Sequence, residues 1–227
     1  MLPGTREDAP PSTSGPAAVA PTDRTAKARS ASVARRSEII AAAIRVIARD
    51  GIRACTVSAL ESETGFARGH FTYHFSSKEE IITLAFAAVG SDWATFQVEQ
   101  AQGPTARARL ETQIRAAATW GRQRPEYFRC LMNFRVEMMR DPGAFPRAPG
   151  IRARLLEAAA MTIRQAMDEG DFRPDLDPPW EARILFAVVD GFLMHATMDV
   201  AFCPPDELAD RAWRVVSERL LHTPAPD

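Results

Sequence analysis

The sequence predicts an all-α chain, with an N-terminal three-helix unit ahead of a larger helical body. Three observations carry this. Apolar residues recur three and four positions apart in segment after segment. Proline and glycine clusters separate those segments. No segment shows sustained strict alternation, so no sheet is expected.

Residues 1–30 read as a tail rich in Pro, Ala, Ser and Thr. Pro3, Pro10, Pro11, Pro16 and Pro21 oppose regular helix. The tail has too little apolar surface to offset its ordering entropy and is expected to be disordered. Its end is basic, at Arg24, Lys27 and Arg29. A disordered basic arm can reach a minor groove; non-specific phosphate attraction, or no contact, are the alternatives. Residues 223–227 are expected to be flexible.

A first helix is expected from about Ser32 to Asp50. Ile40, Ala43, Ile44 and Ile47 form its apolar stripe, with Arg35, Arg36, Arg45 and Arg49 off it. Asp50-Gly51 ends it. From Arg24 to Arg53 the chain is +6, although its total is −1. A local basic patch of this kind suits phosphate; a solvated amphipathic helix is the bland alternative.

Thr56 to Lys78, TVSALESETGFARGHFTYHFSSK, organises the N-terminal unit. Thr56 is placed to cap a short helix carrying Val57 and Leu60. Gly65 falls at a sharp turn suited to positive φ. Arg68, Gly69 and His70 open a second short helix, with Phe71 and Phe75 inward at i, i+4. Ser77 to Glu80 reads as a capping box, with Glu80 reaching back to the cap. Helix, glycine turn, helix is the layout of a DNA-reading helix-turn-helix.

This stretch, with the helix before it, resembles the TetR family of bacterial transcription regulators. The matching residues are Ile40, Ala43, Gly51, Thr56, Val57, Leu60, Gly65, Gly69, Phe71, Phe75, Ser77 and Lys78. Glu61, Thr64 and Thr72 depart from the family pattern. The resemblance implies a three-helix DNA-binding domain over residues 31–78 and a ligand-binding and dimerisation domain over 79–222. It implies DNA contacts from Arg35, Arg36, Thr56, Arg68, Gly69, His70, Tyr73, His74 and Lys78. Arg68 and His70 are the candidates for base edges, and Thr56 and Ser77 head helix ends whose N–H groups suit phosphates. Packing or capping is the alternative role for both histidines.

The body is expected to hold six helices. The first, from about Lys78 to Gln100, places Ile81, Leu84, Ala85, Ala88 and Val89 toward the head and Trp93 and Phe96 toward a second core. It would thus act as a lever between the two. Others follow from Thr105 to Arg122, from Pro125 to Asp141 and from Ile151 to Glu169. Asp177-Pro178 supplies a cap and a first-turn proline for the next, and Pro204-Pro205 opens the last. Around Val188 to Phe192 apolar residues occupy more than one face, and Gly191 leaves room for another backbone. A homodimer is expected, with a central helix of a monomer as the alternative. The run Glu181 to Asp199 resembles the C-terminal domain of the TetR branch that includes choline-responsive repressors.

Candidate effector-site residues are Trp93, Phe96, Trp120, Phe128, Phe134, Met138, Met161, Asp190 and His195. Most of these serve equally well as plain core. Aromatic and Met linings suit apolar or cationic ligands, and a choline-like cation follows from the second resemblance. Asp190 and His195, polar within an apolar helix, need partners if buried. The expected partners are a palindromic double-stranded DNA operator, a small-molecule effector and a second copy of the chain.

Cys55, Cys130 and Cys203 lack CxxC spacing, so neither a disulfide framework nor a metal site is expected. No cofactor is expected. No N-terminal apolar region marks a signal peptide, and no uncharged apolar run would span a membrane, so a cytoplasmic protein is expected. No nucleophile elbow, phosphate-cradling loop or HExxH appears, so no enzyme is expected. His195 and Asp199 at i, i+4 are either a dyad or a helix-surface pair. The alternative function is a dimeric helical carrier or interaction module without DNA binding.

Overall fold

The computed structural model describes residues 23–199, 201–204 and 206–221. Of the tail expected to be disordered over residues 1–30, residues 1–22 lie outside the described residues and residues 23–30 are helical instead; the C-terminus expected to be flexible over 223–227 also lies outside them. Among the described residues there are nine α-helices, one short 3-10 turn and no strand. The chain divides into two units, 1–36 and 37–227.

Helix α1 runs Asp23–Asp50, beginning nine residues before the expected Ser32. The reason is local. Pro21 is the last proline before it, and the Ala, Lys and Arg residues that follow are good helix formers. In the second unit its buried face is wider than the stripe foreseen: Ile39, Ala42 and Val46 join Ala43, Ile44 and Ile47. Gly51, at φ 86°, ends it, and its N–H donates to the Ile47 carbonyl at 3.0 Å.

Helix α2 is Val57–Thr64 and α3 is Arg68–His74. The Thr56 hydroxyl accepts from Ala59 N at 3.2 Å. Gly65 adopts φ 71°, a left-handed cap that an L side chain resists. Leu60, Phe71 and Phe75 are buried. Ser77 Oγ accepts from Glu80 N at 3.1 Å, the first half of the expected capping box. The return bond differs: Glu80 Oε2 accepts from both N and Oγ of Ser76 at 2.7 Å, one residue earlier.

Helix α4 is Lys78–Gln100. By length and composition alone it could cross a membrane. Ile81, Ile82, Ala85 and Val89 on it are buried, and Asp92 in its second half accepts a bond from Trp120. Helices α5 (Ala106–Gln123), α6 (Pro125–Arg140), α7 (Ala148–Asp168), α8 (Pro178–Met198) and α9 (Leu208–Leu220) follow. Thr105 caps α5, and Glu169 beyond the end of α7 accepts from Ala106 N at 2.8 Å. Helix α7 begins three residues before the expected Ile151, because Pro149 is tolerated in a first turn. Pro178 starts α8 as expected, but Asp177 makes no side-chain cap bond. Helix α9 starts at Leu208; of the proline pair expected to open it, Pro205 lies outside the described residues.

Helix α5 packs on α4, α7 and α9, and α7 on α8. One apolar core runs from Ile39 through Phe71, Val89, Trp120, Phe134 and Ile163 to Leu220. Helix α4 crosses this core from the head into the body. Among the ion pairs that tie the body, Arg219 forks onto the buried Glu181 (Nη2 to Oε1, 2.8 Å), and Arg115 reaches Asp210.

A candidate nucleic-acid interface and effector site

Helix α3 has two unlike faces. Phe71 and Phe75 are buried, while Arg68, Gly69, Thr72 and Tyr73 are exposed, Tyr73 by 79%. A Cβ added at Gly69 would meet nothing within 4 Å. Glycine there costs helix stability and serves no packing need inside the chain. The Thr72 hydroxyl bonds back to the Gly69 carbonyl at 3.2 Å. Thr72 thus shares the outward face, although the sequence singled it out only as a departure from the family pattern.

The other candidates are placed less uniformly. His70 is half-buried, its ring 5.3 Å from that of Phe66. His74 is half-buried between Tyr73 and Phe75, with ring centroids at 4.9 and 6.3 Å. Lys78 is half-buried, with Nζ 3.6 Å from Glu79 Oε1. Thr56 is exposed at the head of α2. Arg35, exposed, and Arg36 belong to the first unit.

The basic patch needs correction. Arg45 Nε donates to Glu63 Oε1 at 2.7 Å, and Arg49 Nη1 to Glu63 Oε2 at 3.1 Å. Arg49 Nε also reaches Asp50 at 2.9 Å. Two of the cations counted toward phosphate therefore bind α1 to α2. The Arg45 bond, reinforced by Arg49 against partial burial, holds the Glu63 carboxyl below its ordinary value. Residues 45 and 63 are too far apart in sequence for helical spacing to reveal the pair.

The head also contacts the body through α6. Asn133 Nδ2 donates to the Ile47 carbonyl at 2.9 Å. Cys55 and Cys130 are both fully buried near this junction. Burial pushes the Cys55 thiol up to about 11, eased by the Lys78 charge. Burial, then the neighbouring Cys55, pushes the Cys130 thiol up to about 12.

The nine effector candidates are not brought together. Trp93 and Trp120 meet edge to face at 5.2 Å. Trp120 Nε1 donates to Asp92 Oδ2 at 2.6 Å, and Arg124 Nε lies 3.6 Å from the same oxygen. Burial, then the Asp92 charge, raises the Tyr127 phenol. Phe128 is buried, while Phe96 and Met138 are half-buried against the core. Phe134 belongs to a separate cluster, 4.9 Å from Phe86 and 5.1 Å from Phe145. Asp190 is paired with Arg135 at 2.9 Å. Met161 is 59% exposed and His195 is exposed, its ring 5.3 Å from Phe202. Both turn away from the shared interior because α7 and α8 present other faces to it. The suggested His195–Asp199 dyad has its members engaged elsewhere, since Asp199 Oδ1 accepts from Ala201 N at 2.9 Å. Among the described residues no three potential metal ligands gather.

The sequence pattern described as bacterial regulatory proteins of the TetR family matches residues 39–84. A second pattern, the C-terminal domain of BetI-type transcriptional repressors, matches residues 106–223, more than half of the chain. The chain belongs to the TetR family. It is a DNA-binding transcriptional regulator, not merely a helical carrier or interaction module. Solved TetR-like structures share the fold. A transcriptional regulator from Saccharomonospora viridis, in complex with choline, superposes with TM-score 0.74 at 23% identity, covering 84% of this chain and 100% of that one. The ketosteroid transcriptional regulator KstR2 of Mycobacterium tuberculosis gives 0.67 at 19%, covering 83% and 96%. A transcriptional regulator from Rhodococcus sp. Rha1 gives 0.68 at 19%, covering 83% and 99%. None of the curated proteins matches the chain.

Proposed function

We propose that the chain is a homodimeric repressor that reads a palindromic operator with α3 and releases it when a small organic cation enters the body. The observation that carries the reading is the outward face of α3. Arg68 is free to reach a guanine edge, and the unfilled space at Gly69 lets DNA approach the helix closely. Thr56, Tyr73, His74 and Lys78 flank that face as candidate phosphate contacts, with His70 held against Phe66 as a positioning residue. Two heads related by a two-fold axis would meet successive major grooves about 34–36 Å apart.

Dimerisation is supported by α8. Leu185, Val189 and Leu193 are buried, yet Met194 and Met198 on the same helix remain 43% and 70% exposed. Gly191 has nothing within 4 Å of its would-be Cβ. A second copy packing there would cover the exposed face and use that space.

The effector class is supported by Trp93 and Trp120 beside Asp92, since aromatic rings and a carboxylate suit a quaternary ammonium. The Saccharomonospora viridis regulator binds choline, a cation of this class. Such a cation would compete with Arg124 for Asp92. Coupling to the head would run along α4 and through the Asn133–Ile47 bond, and release requires that the ligand prefer the non-binding head spacing. A cytoplasmic protein that regulates rather than catalyses is supported by the matches to transcription-regulator patterns.

The test is selection of duplexes from a random pool, followed by titration of choline against the selected complex at constant ionic strength. A palindromic sequence released by choline but not by sodium is expected. Failure to enrich any duplex contradicts the DNA reading; enrichment with no choline response contradicts the effector class alone.

A further inference from the structure

We propose that residues 23–36, the N-terminal half of α1, form a helical arm that rides on DNA phosphates and reads no bases. The proposal rests on the operator-binding reading above. The segment is helical from Asp23. From Arg24 to Arg36 it carries five cations and no acid, in a chain whose total charge is −1. Lys27, Arg29 and Arg35 are exposed, and Val33 is exposed by 66%. Five like charges along one helix repel one another until something screens them. A polyanion does so, and the absence of acids over thirteen residues matches one. The helical state also selects the binding mode. A helix about 10 Å across does not enter a minor groove about 6 Å wide. Insertion of a disordered arm into the minor groove is therefore replaced by contacts to the sugar-phosphate rail, which position without specifying.

The experiment uses the full chain with Lys27→Ala, Arg29→Ala and Arg35→Ala combined, and Ala31→Pro as a second variant that keeps every charge. Operator and random duplex affinities are measured across a salt series. The triple variant should flatten the log-affinity against log-salt slope by up to about 2.7 per head. Its ratio of operator to random affinity should be unchanged. Ala31→Pro should weaken both duplexes together. An unchanged slope overturns the proposal, as does a shifted ratio, which would mean base readout. Loss of binding to phosphatidylserine vesicles with the DNA slope intact would assign the arm to a membrane surface and also overturn it. Failure of the wild type to prefer operator would instead contradict the α3 reading.

Discussion

Asn133 on α6 donates its amide proton to the carbonyl of Ile47 on α1, 2.9 Å away and 86 residues earlier. That carbonyl also accepts from Gly51, so the last turn of α1 is fastened from within and from the body. Replacing Asn133 with Ala leaves the carbonyl one partner, which limits the stability loss to about 1 kcal/mol. The larger effect should fall on communication. In Asn133→Ala, effector-driven release should be blunted while operator affinity without effector changes little. Urea unfolding and operator release, measured on the same sample, separate the two.

Glu63 accepts from both Arg45 and Arg49. Its carboxyl titrates lower in the folded chain than in the unfolded one. The resulting stabilisation is present above the unfolded value, about pH 4.3, and is lost as pH falls through the lower folded value. Glu63→Gln should remove that acid dependence and destabilise the head by about 1 kcal/mol. It should also remove the negative charge that Arg45 and Arg49 share, with Arg49 keeping Asp50, so affinity for random DNA should rise. Acid unfolding curves and binding to a random duplex check the opposite signs.

Gly69 separates folding from function. Gly69→Ala should stabilise the fold by up to about 1 kcal/mol, since helix propensity improves and nothing is crowded. The added methyl stands on the outward face and should weaken operator binding. A melting curve and an operator titration should move in opposite directions.

Cys55 and Cys130 give an alkaline prediction. Their thiols ionise at about 11 and about 12 in the folded chain. In the unfolded chain they ionise near the ordinary value of about 8.5. Their protonated burial therefore favours folding fully below that value, and the benefit is lost as pH rises toward the folded values. Native protein at pH 8 should resist iodoacetamide at both positions, and stability should decline above about pH 9 less steeply in Cys55→Ala/Cys130→Ala.

What was legible in the sequence was local. Thr56, Gly65 and Ser77 act within four residues of themselves, so cap and turn chemistry located them. Phe71 and Phe75 share a face by simple helical spacing. The Arg45–Glu63 and Asn133–Ile47 links join different helices, and no period reveals them. Asn133 did leave a signal, an amide among Cys130, Leu131, Met132 and Phe134, of the kind weighed only for Asp190 and His195. Met161 and His195 were misplaced because their helices are apolar on more than one side, so spacing alone did not choose the inward face. Helix α1 starts early because the prolines of the tail end at Pro21, well before residue 30, and the residues between carry no helix breaker.

The most direct measurement is a salt titration of operator and random duplex with wild type, Arg68→Ala and Lys78→Ala. Arg68→Ala should lose about 1–3 kcal/mol of preference for operator while keeping the wild-type salt slope on random DNA. Lys78→Ala should weaken both duplexes alike and reduce the slope by about one. Wild-type behaviour of both variants on both duplexes would contradict the assignment of α3 as the reading helix.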